Sequence, residues 1–178
     1  MAKTYIAFFI TITLALLSES NGKKEVAEKI KKWLDEESIK FTNVEEPYLD
    51  FKFDIKNPNQ SIFSYNDKSD SIEFGTYSSL DKEYKKGFVA LKDNEEKLKI
   101  LLDLERSLLE INVAYVLTPN HKNLERVEIY KKIYFDGLTK DKFMDTIFAL
   151  QRGTNLVNLM FRQLTGQHSS NSTTTFIL

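Results

Sequence analysis

Apolar and polar positions change period several times along this chain, and each change marks an element. From Lys23 to Ser38, apolar residues return at Val26, Ile30, Trp33 and Leu34 with charge between them, which predicts an amphipathic helix with one buried face. Ile39 to Val44 reads as a short extended piece. From Leu49 the period becomes two. Leu49, Phe51, Phe53 and Ile55 alternate with Asp50, Lys52, Asp54 and Lys56, so one face of a strand is buried and the other is wet. Asn57-Pro58-Asn59 turns the chain, Ile62 to Tyr65 is a second strand, Asp67 to Asp70 a further turn, and Ser71 to Tyr77 a third strand. These three make an antiparallel meander.

A polar, Lys-rich connection over Ser78 to Lys92 leads to a second helix, capped by Asp93 or Asn94 and reaching about Ile111. Val113 to Leu117 predicts a fourth strand, ended by Thr118-Pro119-Asn120, and a fifth runs from about Arg126 to Phe135. In the fifth, Val127, Ile129, Ile133 and Phe135 share one face, with Lys131 interrupting. Arg126, Glu128, Tyr130, Lys132 and Tyr134 share the other. Asp136-Gly137 signals a turn, and Thr139 opens a third helix. Its apolar set, Phe143, Met144, Ile147, Phe148 and Leu150, shifts phase beyond Gly153 to Leu156, Val157, Met160, Phe161 and Leu164. With Thr154 available as a fresh cap, that shift predicts an interruption between Arg152 and Asn155.

The fold class expected is therefore α+β, an antiparallel sheet of about five strands with three helices in the order α-βββ-α-ββ-α. One domain over residues 23–165 follows a signal-like or disordered segment over 1–22 and precedes a flexible polar tail over 166–178. A chain of 178 residues suits one domain, and 42% hydrophobic content supplies a core for it. The run Ile133-Tyr134-Phe135-Asp136-Gly137-Leu138-Thr139, leading into Phe143, together with the element order, resembles an uncharacterised archaeal family assigned to the type III secretion chaperone-like fold. The resemblance spans Lys23 to Leu164. It implies a sheet backed by helices and, often, a homodimer that binds another polypeptide; it carries no functional residues.

Charge and composition narrow the chemistry. Twenty-five Lys and Arg against 26 Asp and Glu leave a net charge of −1, so no field of one sign steers the molecule to nucleic acid or an anionic membrane. With no cysteine, disulfides, thiolate metal sites and cysteine nucleophiles are absent. Lys3 followed by the uncharged run Tyr5 to Leu17, with Ser18 and Ser20 after it, fits a cleaved export signal and is too short for a stable membrane span. A misassigned start in a cytoplasmic protein is the other reading. Under export, Asn59-Gln60-Ser61 and Asn171-Ser172-Thr173 become glycosylation triplets.

No catalytic, cofactor-binding or metal-ligating set is predicted. His121 and His168 have no partner at ligand spacing, no Gly-x-Ser-x-Gly elbow exists, and the six glycines form no phosphate loop. Glu45, Glu46, Glu95 and Glu96 fall in polar runs that read as solvated, as do the basic spots Lys85-Lys86-Gly87 and Lys122. Tyr115, Tyr130 and Tyr134 are either ordinary half-buried sheet positions or a candidate protein-binding face.

The second helix says more. Lys99, Asp103, Arg106 and Glu110 form one narrow polar stripe, and leucines and isoleucines fill most of the remaining circumference. That is apolar surface enough for two contacts, so the third helix or a second copy must cover what the sheet leaves. Ile100, Leu104, Glu105, Leu108 and Ile111 are the candidate dimer interface, with Leu104 taken as outward-facing. Glu105 sits inside the apolar arc and needs a cation, a hydrogen-bond donor or water. The function expected is a non-catalytic protein-binding domain, chaperone- or adaptor-like, acting as a homodimer. The other possibility is a small-ligand sensor or enzyme built from scattered carboxylates and tyrosines.

Overall fold

The computed structural model of the protein describes residues 22–65, 70–80, 94–120 and 124–164. The expectations for the N-terminal run, the turn at 67–69, the connection over 81–92, His121, His168 and the tail lie outside these residues. Helix α1 covers residues 22–36. It is followed by strands β1 Phe41–Asn43, β2 Leu49–Lys56, β3 Asn59–Tyr65 and β4 Ser71–Ser79, helix α2 Asn94–Glu110, strands β5 Ala114–Thr118 and β6 Arg126–Tyr134, a short 3-10 turn Phe135–Gly137, and helix α3 Lys140–Leu164. The six strands form one antiparallel sheet in the order β1-β2-β3-β4-β6-β5. The fold class is the expected α+β, with one strand more than the five expected. The extra one is β1, three residues of Phe-Thr-Asn too short to alternate; it pairs Phe41 with Ile55 and Asn43 with Phe53.

Two compact units divide the chain. One takes the residues up to Phe74 together with Lys132–Met144; the other takes Gly75–Lys131 and the chain from Asp145 onward.

In the first unit, α1 buries Ile30, Trp33 and Leu34 as its spacing predicts, but Ala27 takes the buried place expected of Val26, which is half-buried. Phe53 and Ile55 of β2 are buried, Phe53 standing opposite Ile62 of β3. The Trp33 and Phe74 rings each lie 5.4 Å from Phe143. The start of α1 is pinned by Lys23, whose Nζ donates to Asp50 at 2.6 Å and to the Tyr65 carbonyl at 3.0 Å. Its end is a Schellman motif. Ser38 has φ of 56°, its N–H bonds the Asp35 carbonyl, and the Ile39 N–H bonds the Leu34 carbonyl at 2.8 Å. Thr139 caps α3 as expected, its Oγ1 accepting from the Lys142 N–H. Lys140 donates to Glu36 at 2.8 Å and contacts Glu37 at 2.6 Å. Its hydrogen bond holds the Glu36 carboxyl below its usual range, and the same bond raises the Lys140 ammonium.

In the second unit, Leu101, Leu104 and Leu108 of α2 are buried along with Val127 and Ile129 of β6 and Val157, Met160 and Phe161 of α3. Helix α2 ends as α1 does. Asn112 has φ of 56°, with its N–H bonded to Leu109 and the Val113 N–H bonded to Leu108.

One expectation fails here: α3 is unbroken from Lys140 to Leu164. Its buried positions are Phe143, Thr146, Ile147, Ala149, Leu150, Gly153, Val157, Met160 and Phe161, a single stripe that repeats at spacings of three and four. The phase jump was an illusion of counting only large apolar residues. Phe148 and Leu159 are exposed, whereas Thr146 and Gly153 belong to the buried face. Gly153 is there for close approach. A Cβ on it would stand 3.1 Å from Ile129 Cδ1 and 3.3 Å from Leu108 Cδ2. Thr154, read as a new cap, instead donates its hydroxyl to the Leu150 carbonyl within the helix.

Candidate interaction surfaces

Helix α2 separates its leucines into two rows. Leu104 is 5% exposed and Leu108 fully buried, so both belong to the unit's own core and the expectation of an outward Leu104 is wrong. The outward row is Leu98, Leu102 and Leu109, the last two 51% and 65% exposed. With Glu105 between them, these residues recur at spacings of four, three and four, one ridge along the helix. Ile100 and Ile111 are half-buried. Ile100 lines a groove of about 210 Å³ between α2 and the end of α3, facing Leu156, Leu159 and Met160. The third helix therefore covers one flank of α2 and leaves the ridge open.

Glu105 finds its donor on β5. The Tyr115 hydroxyl hydrogen-bonds its carboxylate. Burial raises the Tyr115 phenol above its ordinary value, and the charge of Glu105 and the hydrogen bond to it push the same way. This contact places the ridge of α2 along β5, which among the described residues is the last strand of the sheet and pairs with β6.

The same contact divides the expected tyrosine face. Tyr115 pairs with Ile129, and Leu117 with Val127, so Tyr115 shares the helix-covered face of the sheet. Tyr130 pairs with Ala114 on the opposite face, and Tyr134 follows it there by alternation along β6. The structure brings Tyr115 to Glu105 and leaves Tyr130 and Tyr134 exposed on the other side. Sequence reasoning missed Tyr77, which lies with Arg126 on that exposed face: the guanidinium sits 5.6 Å over the Tyr77 ring and pairs with Glu128. The signal was available in the alternation of Glu73, Gly75 and Tyr77 on β4.

In the first unit, a groove of about 440 Å³ runs between α1 and β1–β2, with Glu28, Glu45, Glu46 and Asp50 among its lining residues and Phe51 and Phe53 beneath them. Three of these carboxylates are paired with lysines: Glu28 with Lys31 at 2.7 Å, Glu46 with Lys52 at 3.8 Å and Asp50 with Lys23 at 2.6 Å. Among the described residues no group of three or more His, Asp and Glu side chains could hold a metal ion, and no helix is long and apolar enough to cross a membrane.

The family profile of an uncharacterized conserved protein, DUF2299, matches residues 26–161, from α1 almost to the end of α3. This chain belongs to the DUF2299 family. Among solved structures the DUF2299 chain is similar to an uncharacterized protein from Methanothermobacter thermautotrophicus, with 27% identity and a TM-score of 0.69 over 76% of this chain and 96% of that one. It is also similar to YbjN from E. coli at 12% identity and a TM-score of 0.41, over 79% of this chain and 91% of that one. No curated protein matches it. The family level of the resemblance read from Ile133 to Thr139 stands, and no activity or partner comes with it.

Proposed function

We propose that this chain is a non-catalytic protein-binding domain, chaperone- or adaptor-like in manner, that works as a homodimer joined along α2 and β5. The observation that carries the reading is the ridge of Leu98, Leu102 and Leu109 lying exposed beside β5, the last strand of the sheet among the described residues. A ridge with Glu105 in its row is self-complementary about a twofold axis: in an antiparallel pair Leu98 meets the partner's Leu109, and Leu102 meets the partner's Glu105. Each leucine is about half exposed, so covering it contributes roughly 1 kcal/mol, half the value of a full burial. Six such residues give about 6 kcal/mol, which lies inside the range of about 4–15 kcal/mol that association costs. The leucines alone do not hold a dimer. Pairing of β5 with its copy supplies the remainder, because an unpaired strand edge offers ready hydrogen-bonding groups.

Sedimentation of the wild type tests this directly. A dimer at micromolar concentration that Leu102→Glu converts to a folded monomer is the expected result. A wild type that stays monomeric at the highest concentration reached overturns the dimer.

A further inference from the structure

The groove between α2 and the last turns of α3 has an apolar base. Leu104 and Met160 are buried there, Ile100 and Leu156 are half-buried, and Leu159 stands exposed. Its volume of about 210 Å³ equals that of some seven waters at roughly 30 Å³ each, room for one or two large side chains and too little for a nucleotide. Asp103 is the one charged residue that lines it, so an acidic segment gains nothing there. Asp103, Ser107 and Gln163 bring the hydrogen-bonding groups that a backbone crossing the groove needs, and the Ser107 hydroxyl is already donated to the Asp103 carbonyl.

The chain that follows α3 has a composition suited to these features. Gln163 lines the groove, and α3 ends one residue later at Leu164. Thr165 to Thr175 then hold no Lys, Arg, Asp or Glu and no large apolar residue, and Phe176-Ile177-Leu178 come directly after them. Three large apolar residues behind a polar spacer have nothing in their own stretch to pack against.

The reach is sufficient. Phe176 stands twelve residues beyond Leu164, a tether of up to about 40 Å at 3.3–3.6 Å each. Leu156, the groove residue farthest back along α3, is eight residues before Leu164, about 12 Å at 1.5 Å each. The chain can therefore leave the helix, turn and lie along the groove with length to spare. A tether of this size holds the triplet at a local concentration of order 1 mM. A contact too weak to join separate molecules is then made within one.

We infer that Phe176-Ile177-Leu178 folds back into the groove between α2 and α3 of its own chain. The contact does not rest on the dimer proposed above, because the groove lies on the flank of α2 that α3 covers and the ridge lies outside it.

A spin label tests it. The chain has no cysteine, so Thr175→Cys gives a single attachment point for a nitroxide beside the triplet. In the isotope-labelled full chain, the amides over 100–107 and 156–163 should broaden. Replacing Phe176, Ile177 and Leu178 together by serine keeps the tether and removes the apolar contact, and should reduce that broadening at least fivefold. Leu159→Asp, at an exposed position, should keep the native spectrum and give the same loss. An unbroadened groove overturns the inference, and so does broadening that survives the triple replacement, since the tether alone then accounts for it. Nitroxide-bearing unlabelled chains mixed with isotope-labelled cysteine-free chains should leave the groove unbroadened. Broadening there would assign the groove to the segment of a second copy and overturn the contact within the chain. Leu102→Glu separates this reading from the dimer, because it should lose self-association and keep the broadening.

Discussion

Replacing Gly153 by alanine sets two effects against each other. Alanine is worth about 1 kcal/mol over glycine in a helix interior. Here, however, the new methyl meets Ile129 and Leu108 at 3.1 and 3.3 Å, and both side chains are themselves buried with little room to retreat. Overpacking of this kind costs about 1–3 kcal/mol, so Gly153→Ala should destabilise the protein by about 1 kcal/mol net in urea unfolding. Stabilisation by alanine would show that α3 can lift from β6 freely. Tyr115 gives a second residue-scale prediction, in pH. Its phenol is raised above the ordinary value of 10.0 by burial first and by Glu105 next. The folded state therefore holds the proton more tightly than the unfolded chain. The resulting stability is present in full below pH 10 and is lost as pH rises through the raised folded value. Tyr115→Phe should flatten the fall in stability above pH 10 relative to wild type; identical alkaline profiles would mean that the hydroxyl does not carry it. Glu105 was legible as a residue needing a donor. That the donor is Tyr115 was not, because the two are joined by packing of α2 over β5 and by no sequence signal.

At the scale of elements, the two Schellman ends share one departure from the usual chemistry. Both left-handed positions hold residues other than glycine, Ser38 after α1 and Asn112 after α2. Asparagine tolerates this conformation better than serine, whose Cβ is strained there by about 1 kcal/mol or more. Ser38→Gly should accordingly stabilise the protein by roughly 0.5 kcal/mol, the gain being trimmed by glycine's larger unfolded-state entropy. Thermal unfolding checks it, and a lower melting temperature would show that the Ser38 side chain contributes something the backbone does not reveal. Elements with a clean period were readable: β2, β6 and α1 lie within a residue or two of the expected positions, each burying the face expected. Strand β1 was readable only as extended chain, since three residues carry no periodicity. Helix α3 was misread because a stripe can include a threonine and a glycine when the neighbour is close enough to need them small.

For the molecule as a whole, Leu102 and Leu104 make a sharp comparison. They are two residues apart on α2, yet one is 51% exposed and the other 5%. Leu104→Glu places an unpaired carboxylate in the core and should abolish cooperative folding, whereas Leu102→Glu should leave the circular dichroism spectrum unchanged and act only on self-association. If Leu102→Glu unfolds the chain, the ridge is part of the fold and no docking surface. The excess of leucine around α2 was evident in the sequence, and so was the need for two contacts. Which row met the chain's own core was decided by the docking of α3 at Gly153 and of α2 on β5.

The sequence by itself determined the order of every element but β1, the faces of individual strands and the absence of cysteine chemistry, because those depend on local period and on composition. It could not decide whether three tyrosines on two strands look the same way. Alternation settles direction within a strand, and only the register between strands carries it across; the pairing of Tyr115 with Ile129 and of Ala114 with Tyr130 puts Tyr115 on one face and Tyr130 on the other. The exposed ridge and the exposed tyrosines are likewise products of tertiary structure, since each is defined by what the rest of the chain leaves uncovered.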